Sequence, residues 1–269
     1  MSAMAHVGGS PAAPATSAIT PLVLTYNEAP NIARCLERLT WAPRVLVLDS
    51  GSTDDTIALV GQFPNAEIHT RAFDDHTSQW NYGVDLVRTP WVLALDADYV
   101  LSDGWGSVLE NLTLADDLDA MDATFRYCVF GRPLRASIYP PRAVLFRRDR
   151  CRYEPDGHTQ RLIVRGRSAS LPATIDHDDR KPLDRWFASQ NAYSGLEADK
   201  LLSRSPGELT RQDRLRRGVV FGPIAVFVYT LLVKRTILDG WPGWYYTLQR
   251  TIAEIMLSLH ILDRRLRNL

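Results

Sequence analysis

The stretch WVLALDADYV, residues 91–100, decides how this chain is read. An apolar run ends in two carboxylates, Asp96 and Asp98, with one alanine between them. Carboxylates ordinarily stay in water, so a strand driven through a core and closed by two of them is carrying them somewhere. Strand residues two apart share a face, and the strand rise predicts Cα atoms about 7 Å apart. Paired oxygen donors at that spacing suit a hard cation, Mg²⁺ or Mn²⁺, which binds through one or two carboxylates together with substrate phosphate. Without a cation the two charges would repel at low dielectric. The plainer alternative is a strand that happens to end in two aspartates.

Three earlier segments repeat the arrangement of an apolar run followed by a polar cluster. ITPLVLTY leads into Thr25–Glu28 (TYNE), RVLVLDS into Asp49–Asp55 (DSGSTDD), and AEIHT into Arg71–Asn81 (RAFDDHTSQWN). Helical spacing of apolar residues over 29–39, 52–63 and 76–87 separates these strands,. Strands apolar on both faces, alternating with helices, predict a parallel sheet covered on both sides. Ligands on such sheets collect beyond the carboxyl ends of the strands, so all four clusters should line one edge. Each also has a structural reading. Asn27 and Glu28 could open a helix, and Ser52 with Asp55 has the spacing of a helix cap. No GxxxxGK[ST] occurs and no GxGxxG follows the first strand, which argues against an NTPase and against a nicotinamide or flavin enzyme.

Beyond residue 102 the texture changes. A helix is expected over 104–112, strands of a mixed extension over 120–130, 142–148 and 160–166, and a long helix over 182–202. The chain therefore divides into a small, Pro/Gly-rich leader (1–18) expected to be disordered, a catalytic region (19–203), and a helical extension (204–269). Residues 19–102 form its nucleotide-binding half and 103–203 its acceptor-binding half. Formal net charge is zero over 269 residues, but from residue 204 onward eleven Lys/Arg face five Asp/Glu. Residues 218–233 are uncharged and only sixteen long, short of the twenty or so needed to span a bilayer. Basic residues lie on both sides, and Trp241, Trp244 and Tyr245 follow. This predicts a segment dipping into one leaflet; a helical hairpin packed on the catalytic region is the alternative. The leader lacks the basic start and apolar middle of a secretory signal, and Cys35, Cys128 and Cys151 read as reduced, structural thiols. A peripheral position on the cytoplasmic face of the inner membrane is expected, with no nucleic-acid partner.

LTYNEAPNI, VLVLDSGSTDDT and LALDAD, in that order and spacing, resemble the family 2 glycosyltransferases with the GT-A fold, an α/β architecture. FDDHTSQWNYGVD and HDDRKPLDRWFASQNAYSGLEADKLL more loosely resemble the branch containing bacterial lipopolysaccharide-core glycosyltransferases. The resemblance implies an inverting transfer of a sugar from a UDP- or GDP-linked donor to a cell-envelope glycan or lipid-linked acceptor, a polyprenyl phosphate being a close variant. It implies that Thr25, Tyr26, Asn27 and Glu28 line the base and ribose pocket. Asp49 would contact the base or ribose, with Ser52 and Asp54 nearby, and Gln79 and Asn81 would approach the nucleotide or sugar. Asp98 would ligate the metal, with Asp96 nearer the ribose or sugar. Many relatives place an acidic base in an ED-like motif that this chain lacks, so the base is sought in YEPDGHTQRL: Asp156 first, then Glu154 and His158. His177 could complete the metal sphere, and Arg161 and Arg180 could neutralise phosphate. From other classes, a nucleotidyltransferase and a non-catalytic sugar-nucleotide-binding protein share parts of this pattern.

Overall fold

A computed structural model describes residues 15–156, 159–205 and 207–268. Its first half follows the alternation written in the sequence. Strands β1 (Ile19–Thr25), β2 (Val45–Asp49), β3 (Ala66–Thr70) and β4 (Trp91–Asp96) alternate with helices α1 (Ile32–Glu37), α2 (Thr56–Val60) and α3 (His76–Leu86). β1 and β2 are buried almost throughout and pair in parallel, as β1 does with β4 and β2 with β3. Leu22 and Leu46 on these strands are fully buried, beside Val23 and Val47 facing the opposite layer. Helix α3 crosses β1 at Gly83, where an added Cβ would lie 2.8 Å from Leu22 Cδ1. Close backbone approach is why glycine stands there.

After β4 the chain turns rather than ending its sheet. β5 (Tyr99–Leu101) and α4 (Trp105–Glu110) lead into the long β6 (Leu118–Val129), which forms a short ladder with β7 (Arg132–Pro133). β8 (Arg142–Arg147) runs antiparallel between β4 and β6, and β11 (Arg167–His177) pairs in parallel with β6 and antiparallel with β5. The main order is β3-β2-β1-β4-β8-β6-β11-β5. The expected parallel sheet thus holds through β4, and the second half makes it mixed. The expected strand over 160–166 is instead one arm of a separate hairpin, β9 (Arg152–Asp156) with β10 (Thr159–Ile163). Asn81 fastens that hairpin to α3: its Nδ2 donates to Tyr153 O and its Oδ1 accepts from Tyr153 N, both at 3.0 Å.

Four helices close the fold: α5 (Leu183–Ser203), α6 (Arg211–Arg217), α7 (Phe221–Val228) and α8 (Trp241–Arg267). α8 packs along α5 through Leu257, Ile261, Ala198 and Leu201, and sends Tyr246 against Tyr127 of β6, ring centroids 4.5 Å apart. The segment expected to dip into a bilayer is therefore broken in two, α7 followed by a π-turn at Tyr229–Val233, and lies on α8. No helix among the described residues is long and apolar enough to cross a membrane. Ala15–Ala18, expected to belong to a disordered leader, form a 3-10 turn because Ala18 packs against the main core. Residues 1–14 and His158 lie outside the described residues.

Candidate active site

Beyond the carboxyl ends of β1 and β2 two loops are knitted together. Asp49 is buried and accepts from Thr25 Oγ1 at 3.0 Å and from the amides of Gly51 and Ser52 at 2.8 Å each. Asn27 adopts a left-handed conformation, φ 54°. Its Oδ1 accepts from the amides of Thr53 at 2.7 Å and Asp54 at 3.2 Å, while its own amide donates to Ser52 Oγ at 2.7 Å. Ser52 is thus not the cap of α2 that its spacing with Asp55 suggested. Asp55 sits at the N-cap itself without a side-chain capping bond. Asp54 instead accepts from Thr56 N at 3.1 Å and Ala29 N at 3.2 Å. Tyr26 leaves its ring half exposed beside the Arg185 guanidinium, 5.9 Å away.

A latch from the far half of the chain closes on this frame. Lys181 Nζ lies 2.6 Å from Glu28 Oε1 and 3.4 Å from Asp179 Oδ1. Asn31 Nδ2 donates to Asp179 at 3.0 Å and Arg34 Nη1 to Asp178 at 2.7 Å. Burial, opposed by Lys181 and reinforced by the charge of Asp98, pushes the Glu28 carboxyl up to about 7. Arg180, read from sequence as a phosphate contact, is engaged by Asp178 at 2.8 Å.

The two carboxylates of the opening stretch line one cavity of about 470 Å³ together with His177 and Lys181. They are brought there by a different device from the one expected. β4 ends at Asp96, and Ala97–Asp98 form a turn before β5, so strand pleating does not set their relation. β11 returns beside β5 with His177 opposite Tyr99, and His177 Nε2 comes to 3.2 Å from Asp98 Oδ2. Burial opposes ionisation of Asp98, but His177 and Lys181 outweigh it and hold the carboxyl down at about 2. Asp96 moves the other way, raised by burial and then by the charge of Asp98. Environment has separated the two members of the pair, as it does where neighbouring acids take different roles. Two buried atoms here, Asp98 Oδ1 and His177 Nδ1, have no hydrogen-bond partner among the described residues. Buried polar atoms seldom stay unsatisfied, so both point to something the site takes up. Among the described residues no group of three or more His, Cys, Asp or Glu side chains is arranged to hold a metal by itself.

The other expected residues fall into place less directly. Gln79 is fully buried, donating to Ser50 Oγ at 3.0 Å and accepting from Arg71 Nη1. Asn81 is engaged by the hairpin. Both amides hold the frame, and neither lines the cavities beside Asp96. Asp156 borders a second cavity of about 450 Å³, which shares Asp96, Tyr99 and Arg142 with the first and includes Arg161. Its carboxylate lies 3.0 Å from Lys200 Nζ. Glu154 is exposed on the hairpin, outside both cavities. Several lining residues carried no sequence signal: Tyr127, Tyr139, Arg142, and from α8 Tyr246, Arg250 and Glu254. The amphipathic spacing of α8 indicated a packed face but not what that face would cover.

The description of Glycosyl transferase family 2 matches residues 21–164. The lipopolysaccharide core biosynthesis glycosyltransferase LpsC of Rhizobium meliloti (strain 1021) is 26% identical over 196 residues, 68% of this chain and 71% of that protein. An uncharacterized glycosyltransferase of Rickettsia felis is 34% identical over 102 residues, 38% of this chain and about a third (36%) of that protein's length. Among solved structures, S. aureus TarS 1-349 in complex with UDP-GlcNAc superposes with a TM-score of 0.43 at 12% identity, covering 93% of this chain and 91% of that one.

Proposed function

The chain belongs to glycosyl transferase family 2 and is a glycosyltransferase, and from that premise we propose an inverting, metal-assisted transfer from a nucleotide sugar to a cell-envelope glycan or lipid-linked acceptor. One observation carries the reading: Asp96, Asp98 and His177 converge in one cavity, which Lys181 joins to the Glu28 side of the loops at the ends of β1 and β2. The residues fit a dication. Asp98 would hold it through its unpartnered Oδ1, with Asp96 and His177 beside it; these side chains do not form a complete metal site by themselves, so phosphate oxygens of the substrate would supply the remaining positions. When bound, such an ion supplies a Lewis acid that stabilises the departing diphosphate.

The chain's own residues supply the rest. The Asp49 and Asn27 bonds fix the two loops before substrate arrives, so little reorganisation is required on binding. The exposed ring of Tyr26 offers a stacking face for the base. Arg142, over Tyr139 at 4.5 Å, places a cation where both cavities meet and where negative charge grows as the diphosphate leaves. Asp156, held beside the second cavity by Lys200, takes the proton from the acceptor hydroxyl.

Attachment to a membrane surface belongs to the same proposal. Phe221, Ile224 and Val228 on α7, Leu232 and Val233 after it, and Trp241 at the start of α8 are all exposed. Lys234 and Arg235 lie within the same segment. An exposed apolar face rimmed by cations matches an anionic lipid surface. It would hold the enzyme on the cytoplasmic face of the inner membrane, next to a lipid-linked acceptor.

The deciding experiment incubates the purified chain with a panel of UDP- and GDP-sugars and Mn²⁺ or Mg²⁺, and identifies the products. Release of nucleoside diphosphate is expected, whereas pyrophosphate would mark a nucleotidyltransferase. Binding of a donor without turnover would leave the non-catalytic reading standing instead.

A further inference from the structure

The cavity that begins at Asp96 and Asp98 continues along α5 to α8, and its far stretch holds Glu197, Arg216, Arg250 and Glu254. Three of these charges answer one another. Arg216 lies 3.1 Å from Glu197 Oε1 and 3.1 Å from Glu254 Oε1. Arg250 is left over. Glu254, one helical turn further along α8, is the partner that i,i+4 spacing would supply, but it is turned to Arg216. Among the described residues the Arg250 guanidinium forms no hydrogen bond or ion pair, and its Nε is sealed from solvent without an acceptor. The ring of Tyr246 lies 5.9 Å from its Cζ, the outer limit of a cation–π contact.

A buried guanidinium N–H without an acceptor is costly, and a cavity wall is where a ligand can remove that cost. We propose that Arg250 is the anchor of an oxyanion subsite, and that the anion, a phosphate monoester or a carboxylate, belongs to the acceptor. The planar fork of a guanidinium matches either group through paired hydrogen bonds. The donor end of the cavity is elsewhere. From Asp98 the wall runs through His177 at 3.2 Å, then Tyr127 with centroids 4.9 Å apart, then Tyr246 at 4.5 Å, before it reaches Arg250. Along this wall three side chains follow one another from the carboxylate assigned to the diphosphate to Arg250. Assigning the anion to the acceptor rests on the glycosyltransferase reading; the anion site itself rests on the unpaired guanidinium and the cavity.

The test titrates the full chain, saturated with UDP and Mg²⁺ to fill the donor end, with inorganic phosphate, octyl phosphate, glucose 6-phosphate and glucuronate. The wild-type chain is expected to bind at least one of these probes. Arg250→Gln should weaken that binding about tenfold or more, the scale of one charged hydrogen bond, and Arg250→Lys should restore part of it. UDP affinity should stay the same in all three proteins. Preference for octyl phosphate assigns a lipid phosphate, preference for glucose 6-phosphate a phosphorylated sugar, and preference for glucuronate an acidic sugar; each supports the subsite. Equal binding of every probe by wild type and Arg250→Gln, no binding by wild type, or a parallel loss of UDP affinity overturns it. Failure of UDP itself to bind the wild-type chain would overturn the donor reading, and the probe titration run without UDP then decides the Arg250 site by itself.

Discussion

His177 Nε2 lies 3.2 Å from Asp98 Oδ2, although the two residues come from opposite halves of the chain. The pairing exists because β11 returns along β5 in antiparallel register and delivers its last residue to the turn after β4. Among the described residues it leaves one oxygen of Asp98 and one nitrogen of His177 buried without a hydrogen-bond partner, the atoms to which the proposed function assigns a dication.

Asp98→Asn keeps the size and the His177 contact but removes the charge that would hold the ion. Metal-dependent turnover should fall about 10³-fold, corresponding to several kcal/mol of lost Lewis-acid stabilisation. The far-ultraviolet circular dichroism should be unchanged. Full activity in this variant, assayed with saturating Mn²⁺, would remove Asp98 from the reaction.

Asp156 is argued to take the acceptor proton because it borders the cavity that shares Asp96 and because Lys200 positions it at 3.0 Å. Asp156→Asn should lower kcat by about 10²- to 10⁴-fold, the range for loss of a general base, while donor affinity measured by titration stays near wild type. If donor affinity fell as much as kcat, Asp156 would be a supporting residue of the hairpin and the base would have to be sought elsewhere.

Much of this site could be read in the sequence, and the part that could not has a physical reason. Strands β1, β2 and β4 are buried on both faces, whereas β3 is a partly exposed edge strand, so the apolar runs and polar ends of the three are local signals, and the clusters at Asn27, Asp49 and Asp96 followed from them. Asp96 and Asp98 do share a cavity, but a turn and not strand pleating brings them there, since β4 stops at Asp96. Gln79 and Asn81 look like ligand contacts in a sequence because buried amides and ligand-binding amides have the same letters. Only their partners, Ser50 and the Tyr153 backbone, show that both are engaged. Lys181, Tyr246 and Arg250 enter through contacts between distant segments, for which periodicity carries no information. The extension from residue 204 onward was legible as helical and amphipathic, but nothing local showed that α8 would form a wall of the cavity.

Asn27 tests how far the loop frame matters. A non-glycine residue at φ 54° is strained unless its side chain compensates, and here Oδ1 holds the amides of Thr53 and Asp54. Asn27→Gly relieves the strain but loses both bonds; Asn27→Ala loses the bonds and keeps the strain. Urea denaturation should rank wild type above glycine and glycine above alanine, with the alanine variant about 1–3 kcal/mol below wild type. The KM for the donor should rise in both variants. An alanine variant as stable as wild type would show that the bonds contribute nothing to the frame.

Glu67 on β3 accepts from Arg44 at 2.5 Å and faces His69 at 2.7 Å, and these hydrogen bonds lower its carboxyl from 4.5 to about 2. A carboxyl depressed on folding adds stability above its unfolded value and loses it as pH falls through the folded one. The melting temperature of wild type should therefore exceed that of Glu67→Gln at pH 7, with the gap closing between about pH 4.5 and pH 2. The gap should be small, because the pair is partly exposed and screened. A difference that stayed constant over this range would mean the glutamate acts through packing, not charge.

The apolar face of α7 and the start of α8 should dock on lipid. Phe221 is 64% exposed and Trp241 85% exposed, although both are large and apolar and neither borders the cavity. α7 keeps its contact with α8 through other residues, among them the buried Gly222, so the outer face can be changed without disturbing the fold. Phe221→Asp combined with Trp241→Asp introduces two anions where an acidic bilayer would lie, and removes two side chains whose burial in the headgroup region would each contribute roughly 1.5–3 kcal/mol. Sedimentation with vesicles containing phosphatidylglycerol should show wild type bound and the double variant largely free. Binding of wild type should weaken as salt rises, because Lys234 and Arg235 contribute through screened attraction. Release of nucleoside diphosphate from the soluble donor should be the same for both proteins, since neither substitution touches the cavity. Equal vesicle binding by wild type and the double variant would show that this face does not dock on lipid.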